Sequence, residues 1–272
     1  MAKMRVGLVG CGNIATDICL AIRDKGIPAE VVALVDIDES HAETLRHTFN
    51  LNAFIGTIDA LAGAVDYMVE CAVASVVPDV VAAAAAHHVD CLVMSVGGLL
   101  DRPDLFDLAR SKGVNLFVPS GAICGIDGIR AAMQAGLDEV TLTTSKPPKG
   151  LKGAPYLVAK GIDLDGLTEP LVVFDGTARE AVKAFPANVN VAASLSMAGL
   201  GPDRTRVRVV ADPAATVNTH EICAKGPFGE LTAIMRNRPS PRNPKSSYMA
   251  SLSACVEVAS AATLFAARTS VN

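Results

Sequence analysis

Hydrophobic and polar positions in this chain follow two rhythms. Up to about Val118, short apolar runs alternate with stretches whose apolar residues recur every three or four positions. The runs are Val6–Val9, Val31–Val35, Tyr67–Ala72, Cys91–Val96 and Asn115–Val118. The periodic stretches are Ile14 to Ile22, Glu39–Phe49, Val76–His88 and Leu105–Ser111. Strands alternating with helices predict right-handed crossovers and a doubly wound parallel sheet of Rossmann type, an α/β unit. After about Gly136 the pattern changes. Val140–Ser145 alternates with period two, and Arg206–Val210, Val217–Ala224 and Leu231–Met235 also read as strands. Thr177–Ala184 and Asn188–Met197 read as helices between them. This half is predicted to be α+β, with a mixed or antiparallel sheet. A long striped helix, Ser246 to Ala267, is expected to pack back on the first domain. The expected domains are therefore 1–136, joined by 245–272, and 137–244, the latter for substrate binding and dimerisation. Lys146–Gly153 and Asn237–Lys245 read as loops.

The first βαβ passage carries the strongest chemical signal. An apolar strand meets Gly10 and Gly12, Asn13 and Ile14 open a helix, and the second strand ends on Asp36. In such a unit the first glycine makes the tight turn and the second admits a pyrophosphate to the helix N-terminus. The acid bonds the adenosine ribose. Gly10, Gly12, Asn13, Ile14 and Asp36 are therefore candidate cofactor residues. A carboxylate at Asp36 repels a 2′-phosphate, so NAD is expected, with NADP weaker. Ligands of doubly wound sheets lie at the carboxyl ends of the strands. That places Cys71, Ala72, Ser95–Gly97 and Ser120–Ala122 nearby.

Composition narrows the field. Half of the 272 residues are hydrophobic, which argues against disorder. A formal net charge of −4 gives no case for nucleic acid or an anionic membrane. The seven cysteines stand singly without metal-ligand spacing, so no metal site is expected, and reduced thiols in the cytoplasm are. No leader and no apolar run long enough to span a bilayer is expected.

Among the five histidines, His220 differs. It lies within a strand of the second half, beside Asn218 and Thr219. Histidine is the natural general base near neutral pH, although a hydrogen-bonded strand histidine fits the pattern equally. Cys124, in SGAICGIDG before a helix, is the rival as a thiolate nucleophile of a semialdehyde dehydrogenase. A non-catalytic NAD sensor is the third reading. Lys245, Ser246 and Ser247 open the last helix, and Asn188 and Asn190 open another. All could hold a carboxylate, or could simply cap helices.

The stretches GCGNIA (10–15), ECA (70–72), SVGGL (95–99), SGAICGIDGI (120–129), TTSKPP (143–148), FPANVNVAASLSMAG (185–199), DRTRVRVVADP (203–213), NTHEICAKGPFG (218–229) and NPKSSYMASLS (243–253) resemble the L-aspartate dehydrogenase family. Ala15 stands where glycine is common there, and Ser246 where threonine is usual. The resemblance implies NAD(P)-dependent oxidation of L-aspartate to iminoaspartate. The imine hydrolyses to oxaloacetate and ammonia or feeds NAD biosynthesis, and reductive amination is the reverse reaction. It also implies that His220 is the active-site residue and that Ala122 and Asn190 contact the cofactor. A homodimer is expected. Aspartate is expected to lie between the domains, with Asn188, Lys245, Ser246 and Ser247 as candidates for its carboxylates.

Overall fold

The structure is a computed structural model and describes residues 2–185, 189–243 and 246–270. Two compact units are present: Met1–Pro119 with Ala250–Asn272, and Ser120–Met249.

The first unit alternates strand and helix: β1 (Met4–Val9), α1 (Asn13–Lys25), β2 (Ala29–Val35), α2 (Glu39–Phe49), β3 (Phe54–Ile55), α3 (Ile58–Ala62), β4 (Tyr67–Glu70), α4 (Val77–His87), β5 (Asp90–Val93), α5 (Pro103–Ser111) and β6 (Leu116–Phe117). The sheet order is β3-β2-β1-β4-β5-β6, and every pairing is parallel. Residues buried on both faces explain why these strands read as unbroken apolar runs. The order reverses between β1 and β4, so the carboxyl ends of β1, β2 and β4 form the switch point where a ligand is expected.

The second unit contains α6 (Ile126–Ala135), β7 (Glu139–Lys146), α7 (Pro155–Lys160), β8 (Leu171–Thr177), α8 (Ala178–Ala184), α9 (Val189–Ala198), β9 (Thr205–Ala211), β10 (Asn218–Gly226) and β11 (Gly229–Asn237). Its sheet runs β11-β10-β7-β9-β8. Only β7 and β9 pair in parallel, so the sheet is mixed. One face is buried: Val140, Leu142, Val207, Val209, Ile222 and Ala224 pack with Ile129, Ala181 and Leu195 of α6, α8 and α9. The alternation read from sequence is this in–out pattern. Helix α6 belongs to this unit, although the sequence reading carried the first domain to residue 136.

The last helix, α10 (Tyr248–Thr269), inserts Ala254, Cys255, Val258 and Ala262 among Val6, Ile18 and Leu92, in the core of the first unit. It corrects one expectation. By length and composition α10 could cross a bilayer, because it is apolar well beyond its buried stripe. Strand β8 also escaped the sequence reading. Leu171 and Val172 are exposed at the sheet edge, and the register shifts between Val172 and Phe174, so period two is lost.

Candidate active site

The glycine turn after β1 is held by the backbone around it. Gly10 has φ +94°, and a Cβ there would lie 2.7 Å from the Cys71 carbonyl oxygen, so only glycine fits. Gly10 N–H donates to the Val35 carbonyl at 2.7 Å, and the Cys71 thiol donates to the Gly10 carbonyl at 3.1 Å. The ends of β1, β2 and β4 are thereby fixed together. Around Gly12 a Cβ would meet nothing within 4 Å. Helix α1 starts there without a side-chain cap and with no acid in its first turn. Its first N–H groups thus suit a phosphate.

Asp36 faces this turn. Its Oδ2 accepts the Cys11 N–H at 2.7 Å and its Oδ1 the Asp38 N–H at 3.0 Å. The carboxylate therefore organises the loop first. Lone pairs remain on both oxygens for ribose hydroxyls. Ile37, next in sequence, is fully exposed and offers an apolar face beside the acid, a feature with no sequence signature. Together these residues fit a dinucleotide.

A second fastening escaped the sequence reading. Glu70, at the end of β4, is wholly buried. One carboxylate oxygen accepts Ala72 N–H at 2.8 Å and Ser95 Oγ–H at 2.9 Å, and the other accepts Ser95 N–H at 2.8 Å. Burial pushes its carboxyl up from the ordinary range, against these donors. Glu70 thus locks the loops that contain Cys71, Ala72 and Ser95.

In the second unit, His220 is only 5 % exposed. It stands opposite Thr144 in the β10–β7 register, and its Nδ1 bonds Thr144 Oγ1 at 3.0 Å. With Nδ1 protonated toward that oxygen, Nε2 keeps its lone pair. Burial, then the charge of Lys146, lowers the imidazole pKa to about 4, so the ring is neutral at pH 7. Lys146 lies two residues beyond Thr144 on the same face of β7 and is 9 % exposed. Burial lowers its pKa to about 8. Sequence placed Lys146 in a loop because Pro147 and Pro148 follow it.

The remaining candidates divide. Ala122 is buried, and its carbonyl accepts Asn237 Nδ2–H at 2.8 Å. Asn237 Oδ1 in turn accepts Ser247 Oγ–H at 2.5 Å. Ser246 Oγ–H donates to the Asn243 carbonyl at 3.0 Å. Both serine protons are used within this loop, so these hydroxyls serve its shape. Asn190 is exposed on α9. Asn188 and Lys245 lie outside the described residues. Cys124 is exposed in the loop before α6, and among the described residues no histidine hydrogen-bonds it. The described residues hold no cluster of potential metal ligands.

A parallel dinucleotide-binding sheet and a mixed-sheet unit with a buried neutral histidine define a pyridine-nucleotide-dependent oxidoreductase. Residues 10–119 match the family "Homoserine dehydrogenase, NAD binding domain", and residues 127–261 match "Aspartate dehydrogenase, C-terminal". The chain belongs to the L-aspartate dehydrogenase family. It is 48 % identical over 256 residues to the L-aspartate dehydrogenase of Methanosarcina mazei, covering 92 % of this chain and 94 % of that one. The L-aspartate dehydrogenase of Bradyrhizobium diazoefficiens is 42 % identical over 252 residues, with 93 % and 89 % covered. The crystal structure of aspartate dehydrogenase from Thermotoga maritima shares the fold, with a TM-score of 0.67 at 24 % identity over 93 % of this chain and 94 % of that one.

Proposed function

We propose that this protein oxidises L-aspartate to iminoaspartate, which hydrolyses to oxaloacetate and ammonia. When bound, the nicotinamide ring supplies the acceptor for the Cα hydride. Gly10, Gly12 and the start of α1 take the pyrophosphate, and Asp36 takes the adenosine ribose. That carboxylate disfavours a 2′-phosphate, so NAD is the preferred cofactor. His220 Nε2 removes a proton from the substrate ammonium, or from the water that attacks the imine. Thr144 holds the ring through Nδ1, and the tautomer protonated at Nδ1 leaves the Nε2 lone pair for this role. The same site serves reductive amination of oxaloacetate. Cytoplasmic, homodimeric operation is part of the proposal.

The observation that carries this reading is the buried, neutral His220, oriented through Nδ1 by Thr144. A histidine held neutral and aimed by a second group is arranged as a base rather than as a surface cation. The names of the relatives supply the substrate. The test is NADH absorbance at alkaline pH with purified protein, NAD and L-aspartate, and with D-aspartate, L-glutamate and L-alanine as controls. A rise with L-aspartate alone is expected. No rise with any amino acid, in protein that still binds NADH, overturns the proposal.

A further inference from the structure

Glu70 is a buried acid that the proposed chemistry does not use. It ends β4, the first strand beyond the switch point. Its backbone is held from both sides. Cys71 N–H donates to the Val9 carbonyl of β1 at 2.8 Å, and Met94 N–H donates to the Glu70 carbonyl at 2.9 Å. The side chain adds three bonds, and every partner is a donor: Ala72 N–H, Ser95 N–H and Ser95 Oγ–H. Among the described residues none of its partners is a cation. A carboxylate kept in the interior by dipoles alone costs more than an apolar side chain of similar size. That cost is concentrated under the loops that follow β4 and β5. The first loop, residues 72–75, is exposed above the buried acid. The second approaches it so closely that a Cβ on Gly98 would lie 2.7 Å from the Ala74 carbonyl oxygen.

We infer that Glu70 is a positioning residue for the nicotinamide half of the dinucleotide. The assignment rests on the placement of the adenosine ribose at Asp36 proposed above. Asp36 follows β2, on one side of the switch point between β1 and β4. A dinucleotide laid across that switch point carries its other half to the ends of β4 and β5. Those ends are the loops that Glu70 ties together. The acid touches no ligand; it sets where the backbone of Ala72 and Ser95 stands. Its acceptor-only character is what the role requires. Glutamine has the same shape, but its amide nitrogen donates. That nitrogen meets Ser95 N–H in one orientation and Ala72 N–H in the other, so one loop loses its anchor either way.

The experiment measures two affinities by calorimetry, for NADH and for ADP, in wild type, Glu70→Gln, Ser95→Ala and Asp36→Ala. ADP carries the adenosine and both phosphates but no nicotinamide. In Glu70→Gln, NADH affinity should fall roughly 10-fold, as for loss of one hydrogen bond to a charged group, while ADP affinity stays within about twofold. Ser95→Ala removes one of the side-chain bonds to Glu70 and should show the same pattern at roughly threefold. It carries the comparison if the glutamine variant does not fold. A role confined to stability lowers both affinities together or neither, and either result overturns the assignment. Asp36→Ala should weaken ADP and NADH alike. The two readings fail separately. ADP binding indifferent to Asp36→Ala removes the adenosine from the end of β2 and takes both readings down. ADP binding that needs Asp36, with no loss specific to NADH in Glu70→Gln, sinks the role of Glu70 alone.

Discussion

At His220, burial and proton chemistry pull in opposite directions. With Nδ1 protonated toward Thr144, Nε2 keeps the lone pair of a base, while burial and Lys146 hold the ring's pKa near 4. Positioned proton transfer contributes roughly 10²- to 10⁴-fold, so His220→Ala should lower kcat by that factor. NADH affinity should move less than about twofold, since the glycine turn and Asp36 belong to the other unit. Kinetics and a fluorescence titration check both numbers, and near-normal turnover would remove His220 from the mechanism. The same residue sets a pH dependence. An unfolded histidine takes up its proton near pH 6.5, and the folded one only near 4. Between those values the unfolded chain binds more protons, so stability falls as the pH falls through the window, by roughly 3 kcal/mol from this group. Urea unfolding of wild type and His220→Gln at pH 7 and pH 4.5 tests this. The variant should lose less stability than wild type across the interval, and equal losses would refute the linkage. His220 was legible in the sequence as a histidine within a strand. Its neighbour Lys146 was not, since a lysine before two prolines reads as a loop and nothing in the local sequence reports burial.

At the scale of elements, the site depends on how strand ends are fastened. Asn237 ends β11 and is 2 % exposed. Its amide donates to the Ala122 carbonyl and accepts from the Ser247 hydroxyl, so one side chain joins the loop before α6 to the approach to α10. Asn237→Ala leaves the buried Ala122 carbonyl and the half-buried Ser247 hydroxyl without their partners, at roughly 1–3 kcal/mol for the carbonyl and less for the hydroxyl. A loss of about 2–4 kcal/mol is expected in urea unfolding, with Ser247→Ala losing less because it breaks only one of the bonds. A loss from Asn237→Ala no larger than that from Ser247→Ala would show that the Ala122 bond contributes nothing. Elements with strong periodicity were readable. Helix α2 starts at Glu39 and ends at Phe49 as expected, capped by Asp38 at one end and by left-handed Asn50 at the other. Two-residue β3, five-residue α3 and six-residue α7 are too short to show a period. Asn237 falls at the start of a predicted loop, since β-propensity says nothing about a buried asparagine that closes a strand.

At the scale of the molecule, the cofactor-binding unit is assembled from both ends of the chain. Its sheet comes from the first 119 residues, yet α10 returns from the far end to finish the core. Ser251 Oγ accepts the Asn13 Nδ2–H at 3.1 Å, so the late helix also touches the first turn of α1, beside the glycine loop. The sequence announced this return through the apolar stripe of the last helix. The stripe could not say that the helix is apolar enough to pass for a membrane span, because its exposed side also carries Val256 and Leu264. Packing distinguishes the two faces, and the next prediction uses that difference. Val258 is fully buried among Val6, Ile18 and Leu92, whereas Val256 is 63 % exposed. A carboxylate at Val258 enters an apolar core, so Val258→Asp should cost several kcal/mol and weaken NADH binding, although it lies far from Gly10 in sequence. Val256→Asp, two positions away on the exposed side, should change stability by less than about 0.5 kcal/mol. Melting curves and NADH titrations of the pair decide the matter. Equal effects would mean that α10 does not complete the first core. A large loss confined to Val258→Asp would show that cofactor binding at one end of the chain depends on a helix from the other.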